Sequence, residues 1–354
     1  MRRRNLLALP ALLPPLLPPL LAAPPAAAQR GALAALPDFA DLAAQVLPAV
    51  VNIATVGPAP EMPPEFRGTP LERPFRDRRG RQPVQGQGSG FIIDAAGLVV
   101  TNAHVIGNAT RVVVALQSGQ EYPARLVGSD ELTDMALLRI EARGLPTVPW
   151  GSSATMRVGN WVVAAGNPFG LGGSVTVGIL SARGREIGAG PFDDFLQTDA
   201  PINPGNSGGP LFNLAGEVIG VNTAIFSPSG ASVGIGFAVP SDLARGVVDQ
   251  LRSNGRVERG WLGVAVQDQP EGGRAPRGVL VSGVERGSPA ARAGLRQGDA
   301  VLAIAGERVD TTRALIRGIA AITPGERVSL TVLRDGRPQE ITVQVGRRPS
   351  PPPG

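Results

Sequence analysis

Three residue types in this chain have the chemistry of a charge-relay hydrolase. Gly205-Asn206-Ser207-Gly208-Gly209 sets a serine between glycines. On a tight turn such a serine can expose its hydroxyl while successive backbone N–H groups aim at one point, which acyl transfer requires. A base must activate the hydroxyl. The chain has one histidine, His104, in Val99-Val100-Thr101-Asn102-Ala103-His104-Val105, so any step that needs an imidazole uses it. The first choice of acid among the aspartates between His104 and Ser207 is Asp134, a carboxylate that leads directly into the apolar run Met135-Ala136-Leu137-Leu138. A carboxylate placed there needs a partner, and an imidazole N–H that becomes charged during turnover supplies one. Asp130, Asp193 and Asp194 stand in polar loop contexts, and Asp199 is too close to the serine turn.

Chain order separates two kinds of hydrolase. Gly205-Asn206-Ser207-Gly208-Gly209 also satisfies the G-x-S-x-G pattern of α/β-hydrolases, but those place histidine after the nucleophile, and none follows Ser207. The order His, acid, Ser is that of chymotrypsin-like enzymes. The chain has no cysteine, which excludes disulfides, thiolate chemistry and cysteine-based zinc sites, and nothing in the sequence calls for a metal or a cofactor. Its high isoelectric point follows from arginine supplying every basic residue. Without residues 1–28 and their three arginines the formal charge of +5 falls to +2, too little for a nucleic-acid binder.

The elements that must position these groups are short. With 43% hydrophobic residues, 47 Gly and 35 Pro, the composition favours brief strands and many turns. Residues 1–28 read as a signal peptide: Arg2, Arg3 and Arg4, an apolar stretch, then Ala26-Ala27-Ala28. Seven prolines within it argue against a retained membrane span, so membrane association is expected only if this segment stays uncleaved. Asp38 to Leu47 has helical spacing with Asp38 placed as cap, and residues 57–89 read as a proline-rich flexible loop. From Gly90 to Val239, β-branched runs broken by glycine predict a barrel or sandwich. A helix capped by Ser241 ends near Asn254-Gly255. These signals divide the chain into a signal peptide (1–28), a protease domain (29–255), a second domain (256–347) of strands and a helix over Thr311 to Ala321, and a tail (348–354).

Thr101-Asn102-Ala103-His104-Val105, Thr133-Asp134-Met135-Ala136-Leu137 and Gly205-Asn206-Ser207-Gly208-Gly209-Pro210-Leu211 together resemble the HtrA (Deg) serine proteases. Gly166-Asn167-Pro168-Phe169-Gly170 and Gly234-Ile235-Gly236-Phe237-Ala238-Val239-Pro240 extend the resemblance, which runs from about Phe39 to Val345. It implies an all-β, trypsin-like double barrel of two six-stranded halves with the triad between them. On that template Ser207 attacks the peptide carbonyl, His104 shuttles the proton and Asp134 holds the imidazole. The N–H groups of Gly205 and Ser207 would form the oxyanion hole, with Asn206 shaping the turn between them. The primary pocket would have Pro201 at its base, with Ile202 and Ile225 as apolar neighbours. Arg185 would match the basic residue of the family's sensor loop.

In the second domain, Trp261-Leu262-Gly263-Val264 offers consecutive backbone N–H groups in a hydrophobic turn before a strand, suited to a C-terminal carboxylate. With Gly287-Ser288-Pro289-Ala290-Ala291-Arg292-Ala293-Gly294-Leu295 and Gly298-Asp299-Ala300-Val301-Leu302, it resembles a single, circularly permuted α+β PDZ domain, with Leu315 and Ile319 lining the groove. Between Val266 and Gly278, where relatives carry a short helix, this chain has a Pro/Gly-rich segment that is a poor helix former.

The expectation is an ATP-independent serine endopeptidase of periplasmic protein quality control. It would cleave unfolded or misfolded proteins after small aliphatic residues, respond to C-terminal peptides at its PDZ domain and form a homotrimer. The alternative is a PDZ-dependent chaperone or stress sensor in which proteolysis is minor.

Overall fold

In the computed structural model, the residues described are 38–57, 85–170, 172–203, 205–228, 232–269 and 278–348. The expected signal peptide, most of the proline-rich loop and all but the first residue of the expected tail lie outside them. The described residues from Ala40 onward belong to one compact unit. It opens on α1 (Ala40–Val46), where a helix was expected.

The first barrel is closed by β1 (Val50–Val56), β2 (Gln85–Asp94), β3 (Leu98–Thr101), β4 (Arg111–Ala115), β5 (Glu121–Asp130) and β6 (Met135–Ile140), in the order β1-β2-β3-β6-β5-β4. Its interior holds Val51, Ile53, Ile92, Val99, Val114, Leu138 and Ile140, all without solvent exposure. These are β-branched and leucine side chains, which suit a buried pleated surface.

The expected flexible loop is too long by its last five residues, because Gln85 to Ser89 belong to β2. Gln85-Gly86-Gln87-Gly88-Ser89-Gly90 has low strand propensity and reads as loop for that reason. A β-carbon on Gly88 would stand 2.6 Å from Val105 Cγ1, so close packing across the barrel, not propensity, requires the glycine.

The second barrel follows the order β10-β11-β12-β9-β8-β7. Its strands are β7 (Trp161–Gly166), β8 (Ser174–Arg185), β9 (Phe195–Thr198), β10 (Pro210–Phe212), β11 (Val218–Ile225) and β12 (Gly236–Pro240). Both six-stranded barrels expected from the resemblance are thus present. A one-turn helix, α2 (Ala103–Ile106), follows β3, so His104 lies on a helical turn and not at a strand end.

Helix α3 (Ser241–Asn254) buries Ala244, Val247, Val248 and Leu251, spaced i, i+3, i+4, i+7. Each of its larger apolar side chains contributes on the order of 1.5–3 kcal/mol. Ser241 does not cap it. Pro240 occupies the N-cap position, and the Ser241 hydroxyl donates to the Gly151 carbonyl and accepts from the Ser153 N–H, both at 2.9 Å.

The C-terminal region has a sheet ordered β14-β15-β16-β18-β19, with β17 paired to β16, and a small sheet of β13 and β20. These strands are β13 (Gly260–Trp261), β14 (Val264–Asp268), β15 (Val279–Val284), β16 (Ala300–Ile304), β17 (Glu307–Arg308), β18 (Arg327–Arg334), β19 (Arg337–Gln344) and β20 (Gly346–Arg347). Helices α4 (Pro289–Ala293) and α5 (Thr312–Ala320) complete it, and Thr311 caps α5 by accepting from Ala314 N–H at 3.1 Å. Asp299 is held by Arg334 at 2.7 and 2.6 Å. Burial pushes its carboxyl up, but the guanidinium and the Arg296 N–H together hold it below the usual carboxylate range.

Candidate active site

The base and the acid are both supplied by the first barrel. The turn between β5 and β6 ends on Asp134 at φ +55°, a left-handed conformation that costs a non-glycine residue about 1–2 kcal/mol. Five hydrogen bonds hold it there, the longest from its own N–H to the Glu131 carbonyl at 3.4 Å. Its carbonyl accepts from Ala103 N–H at 3.1 Å and from the Asn102 side-chain amide at 2.8 Å. One carboxylate oxygen accepts the backbone N–H of His104 at 2.9 Å, and the other meets His104 Nδ1 at 2.6 Å. A carboxylate can only accept there, so Nδ1 carries the hydrogen and Nε2 of the neutral ring is left as an acceptor. The imidazole is 49% exposed and borders an open cleft of about 440 Å³ that Leu132, Ile187, Phe192 and Thr223 also line.

Asp130 is not the solvated loop residue its sequence context suggests. It is buried and takes both Nη atoms of Arg259, at 2.5 and 2.7 Å, together with the N–H and hydroxyl of Thr133. Asp193 is buried too, and accepts the N–H groups of Ile187 and Ala189 at 3.0 and 2.9 Å.

The serine turn comes from the second barrel. Gly205 (φ +109°) and Gly208 (φ +83°) flank it with backbone that L side chains rarely adopt. Asn206 spends its N–H on the Asn203 carbonyl at 3.0 Å, and Gly208 donates to Asn222 at 2.8 Å. The N–H groups of Gly205 and Ser207 donate to no described residue, so of the three expected oxyanion residues these two keep free donors. The turn lies against the first barrel: Ser89 N–H donates to the Ser207 carbonyl at 2.9 Å. Ser207 and the residue after His104 also approach the same point of β2. A β-carbon on Gly88 would lie 3.3 Å from Ser207 O as well as 2.6 Å from Val105.

Of the expected pocket residues, Pro201 is exposed, and its carbonyl accepts from Thr176 Oγ1 at 2.8 Å. Ile202 is fully buried, with half-buried Ile225 packed against the same cluster. Arg185 lies at the end of β8, with Nε on the Gln197 side chain at 2.8 Å. The following loop is gripped from α5: Arg313 pairs with Glu186, and Arg317 donates to the carbonyls of Pro191 (3.3 Å) and Asp193.

In the C-terminal region, Trp261-Leu262-Gly263-Val264 forms the turn into β14, the outermost strand of its sheet. The Leu262 and Gly263 N–H groups donate to no described residue, while the two carbonyls accept from Ala290 and Glu285 at 2.9 Å. Leu315 and Ile319 are core residues of this region, and Val264 and Val266 pack against the same cluster. Most of the Pro/Gly-rich segment, 270–277, lies outside the described residues.

Sequence reasoning missed Ser89, Asn102, Gln197, Thr223, Arg259 and Arg317. Asn102 stood in a quoted motif, and its amide joins Asp134 O to Thr223 Oγ1 (3.0 Å) on the other barrel. The rest act across long sequence separations that no local pattern encodes. Among the described residues no group of His, Asp and Glu could hold a metal ion.

Residues 88–221 match the family model for a trypsin-like peptidase domain, and residues 260–345 match that for a PDZ domain. A probable periplasmic serine endoprotease, DegP-like, from Brucella suis is 47% identical over 88% of this chain and 69% of its own length. Its counterpart from Rhizobium meliloti is 48% identical over 78% of this chain and 57% of its own. Among solved structures, the HtrA-type protease AlgW with a decapeptide is 41% identical at a TM-score of 0.77, covering 89% of this chain and 100% of that one. A serine endoprotease from Yersinia pestis is 34% identical at 0.69, covering 89% and 99%.

Proposed function

The chain belongs to the HtrA family of trypsin-like serine proteases, and from that premise we propose that His104, Asp134 and Ser207 are its catalytic triad. It is a periplasmic serine endoprotease with one PDZ domain. One observation carries the triad: the Asp134 carboxylate spans the backbone N–H and the ring Nδ1 of the only histidine in the chain. Ser207 Oγ attacks the peptide carbonyl and passes its proton to His104 Nε2. The carbonyl oxygen becomes an oxyanion facing the Gly205 and Ser207 N–H groups, each worth about 3 kcal/mol of barrier. His104 returns the proton to the leaving amine, and water then repeats the cycle on the acyl-enzyme.

The substrates are unfolded or damaged periplasmic proteins, cut after small or medium aliphatic residues. Buried Ile202 and half-buried Ile225 share one apolar cluster of the second barrel and would offer a charged side chain no partner, so desolvation would disfavour it. The turn before β14 receives a C-terminal peptide whose backbone extends the sheet. The grip of Arg313 and Arg317 on residues 186–193 would connect that groove to the catalytic loop. A homotrimer fits the family and is proposed on that basis alone.

The test is hydrolysis of an unfolded protein by purified variants. Ser207→Ala and His104→Ala should each abolish turnover with the fold intact, and Asp134→Asn should lower it by about four orders of magnitude. A well-folded Ser207→Ala enzyme that still cleaves near the wild-type rate overturns the triad. For specificity, a peptide-library digest should be dominated by Val and Ala before the cut, and dominance of Arg would reject the apolar pocket.

A further inference from the structure

Ser89 lies on β2 with no solvent exposure, opposite Asn52 of β1. All its polar groups are engaged, and two of them, the N–H and the hydroxyl, make three bonds to the second barrel. Its N–H donates to the Ser207 carbonyl at 2.9 Å, and its hydroxyl donates to the Gly205 carbonyl at 2.5 Å and accepts the Asn167 N–H at 2.8 Å. Its own carbonyl accepts the Thr101 hydroxyl at 2.7 Å, which fastens it to β3 three residues before His104.

The two carbonyls Ser89 holds belong to the two residues whose N–H groups face the developing oxyanion in the reading above, on which this inference rests. Gly205 has little conformational preference of its own, and at φ +109° several backbone arrangements compete. A bond to its carbonyl from a buried, fully engaged hydroxyl selects one of them. The Ser207 carbonyl is fixed by the adjacent backbone atom of the same residue, so the turn is gripped at both ends from one point on the other barrel. Asn206, between them, is tied off by Asn203.

We propose that Ser89 is a positioning residue that holds the Gly205–Ser207 turn in its oxyanion-binding form. It touches no substrate. Removing its hydroxyl leaves the part-buried Gly205 carbonyl and the buried Asn167 N–H without this partner, and frees the glycine to turn its N–H away.

The test uses the full chain carrying Ser89→Ala or Ser89→Cys, the latter keeping a weaker donor on a somewhat larger atom. Active sites are counted, and inactivation is followed, with a peptidyl phosphonate ester that forms a tetrahedral adduct on Ser207. Misplacing an oxyanion donor predicts a fall in kcat of about tenfold to a hundredfold for Ser89→Ala. KM should stay within about twofold, and phosphonate inactivation should slow in parallel with kcat. Ser89→Cys should recover part of the loss. A merely structural role would lower the number of titratable sites and leave kcat per site unchanged, and that result overturns the proposal. So does a loss confined to KM. If Ser89→Ala does not fold, Ser89→Cys decides alone: kcat per site lowered at unchanged KM supports the role, and wild-type kcat refutes it. Failure of the phosphonate to label Ser207 in the wild-type chain would instead refute the triad.

Discussion

Where the two barrels meet, the links are short neutral side chains bonded largely to backbone. Ser89 reaches the Gly205 carbonyl and the Asn167 N–H, Asn52 reaches the Asn167 carbonyl at 2.9 Å, and Asn102 joins Asp134 O to Thr223. Where the barrels meet the PDZ domain and the segment leading into it, the links are arginines. Arg259 pairs with Asp130 and lies 4.6 Å over the Phe192 ring, while Arg313 and Arg317 hold the loop after β8. A short side chain with few rotamers that is fully buried has one way to make its bonds. A long guanidinium with several donors can trade one carbonyl for another at small cost. On the proposed reading, the seam between the barrels would keep a geometry, and the grip of Arg313 and Arg317 at the PDZ junction would be the part able to change one. Catalytic precision and the proposed regulation would then rest on different kinds of contact.

The largest effect should come from breaking the seam. A β-carbon on Gly208 would stand 2.2 Å from Thr101 Oγ1 and 2.3 Å from Ser89 O, at a backbone angle that already disfavours any side chain. Neither contact is a flexible tip, so the barrels must part or the turn must refold. Gly208→Ala should lose about 4 kcal/mol or more of stability, read by denaturant unfolding, with turnover lost at the same time. A variant that keeps its unfolding midpoint would show that the seam yields more easily than its packing implies.

The sequence made one side of this comparison partly legible and the other hardly at all. His104, Asp134 and the serine turn could be proposed as a triad from the sequence because such chemistry would leave local signatures: a lone imidazole, a carboxylate before an apolar strand, glycines around a serine. The β-branched runs pointed to a barrel or a sandwich, and the two six-stranded barrels came from the resemblance to the HtrA proteases. Ser89 was misread because glycines that β2 needs for close packing carry the same signal as a loop. Asp130 read as solvated because its partner Arg259 lies far along the chain, and a buried ion pair looks like two surface charges until the fold joins them. Ser241 read as a cap because the proline that fills that position could not be told from one that merely precedes it. What was lost in each case was a partner distant in sequence.

The smallest effect sharpens the contrast most. Arg317 touches no triad residue. It donates from α5 to the carbonyls of Pro191 and Asp193, in a loop that contributes Ile187 and Phe192 to the cleft beside His104. If the junction is adjustable, Arg317→Ala should leave the peptide-saturated rate near wild type. It should shift the unstimulated rate so that the ratio of stimulated to basal turnover falls about fivefold, the size of coupling one contact carries. Ser89→Ala predicts the opposite signature, with both rates reduced by one factor and their ratio preserved, because it acts on a geometry common to both states. Measuring both rates for both variants with one C-terminal peptide separates the two kinds of contact. An unchanged ratio in Arg317→Ala would remove the arginine grip from regulation. A changed ratio in Ser89→Ala would place the seam itself among the parts that move.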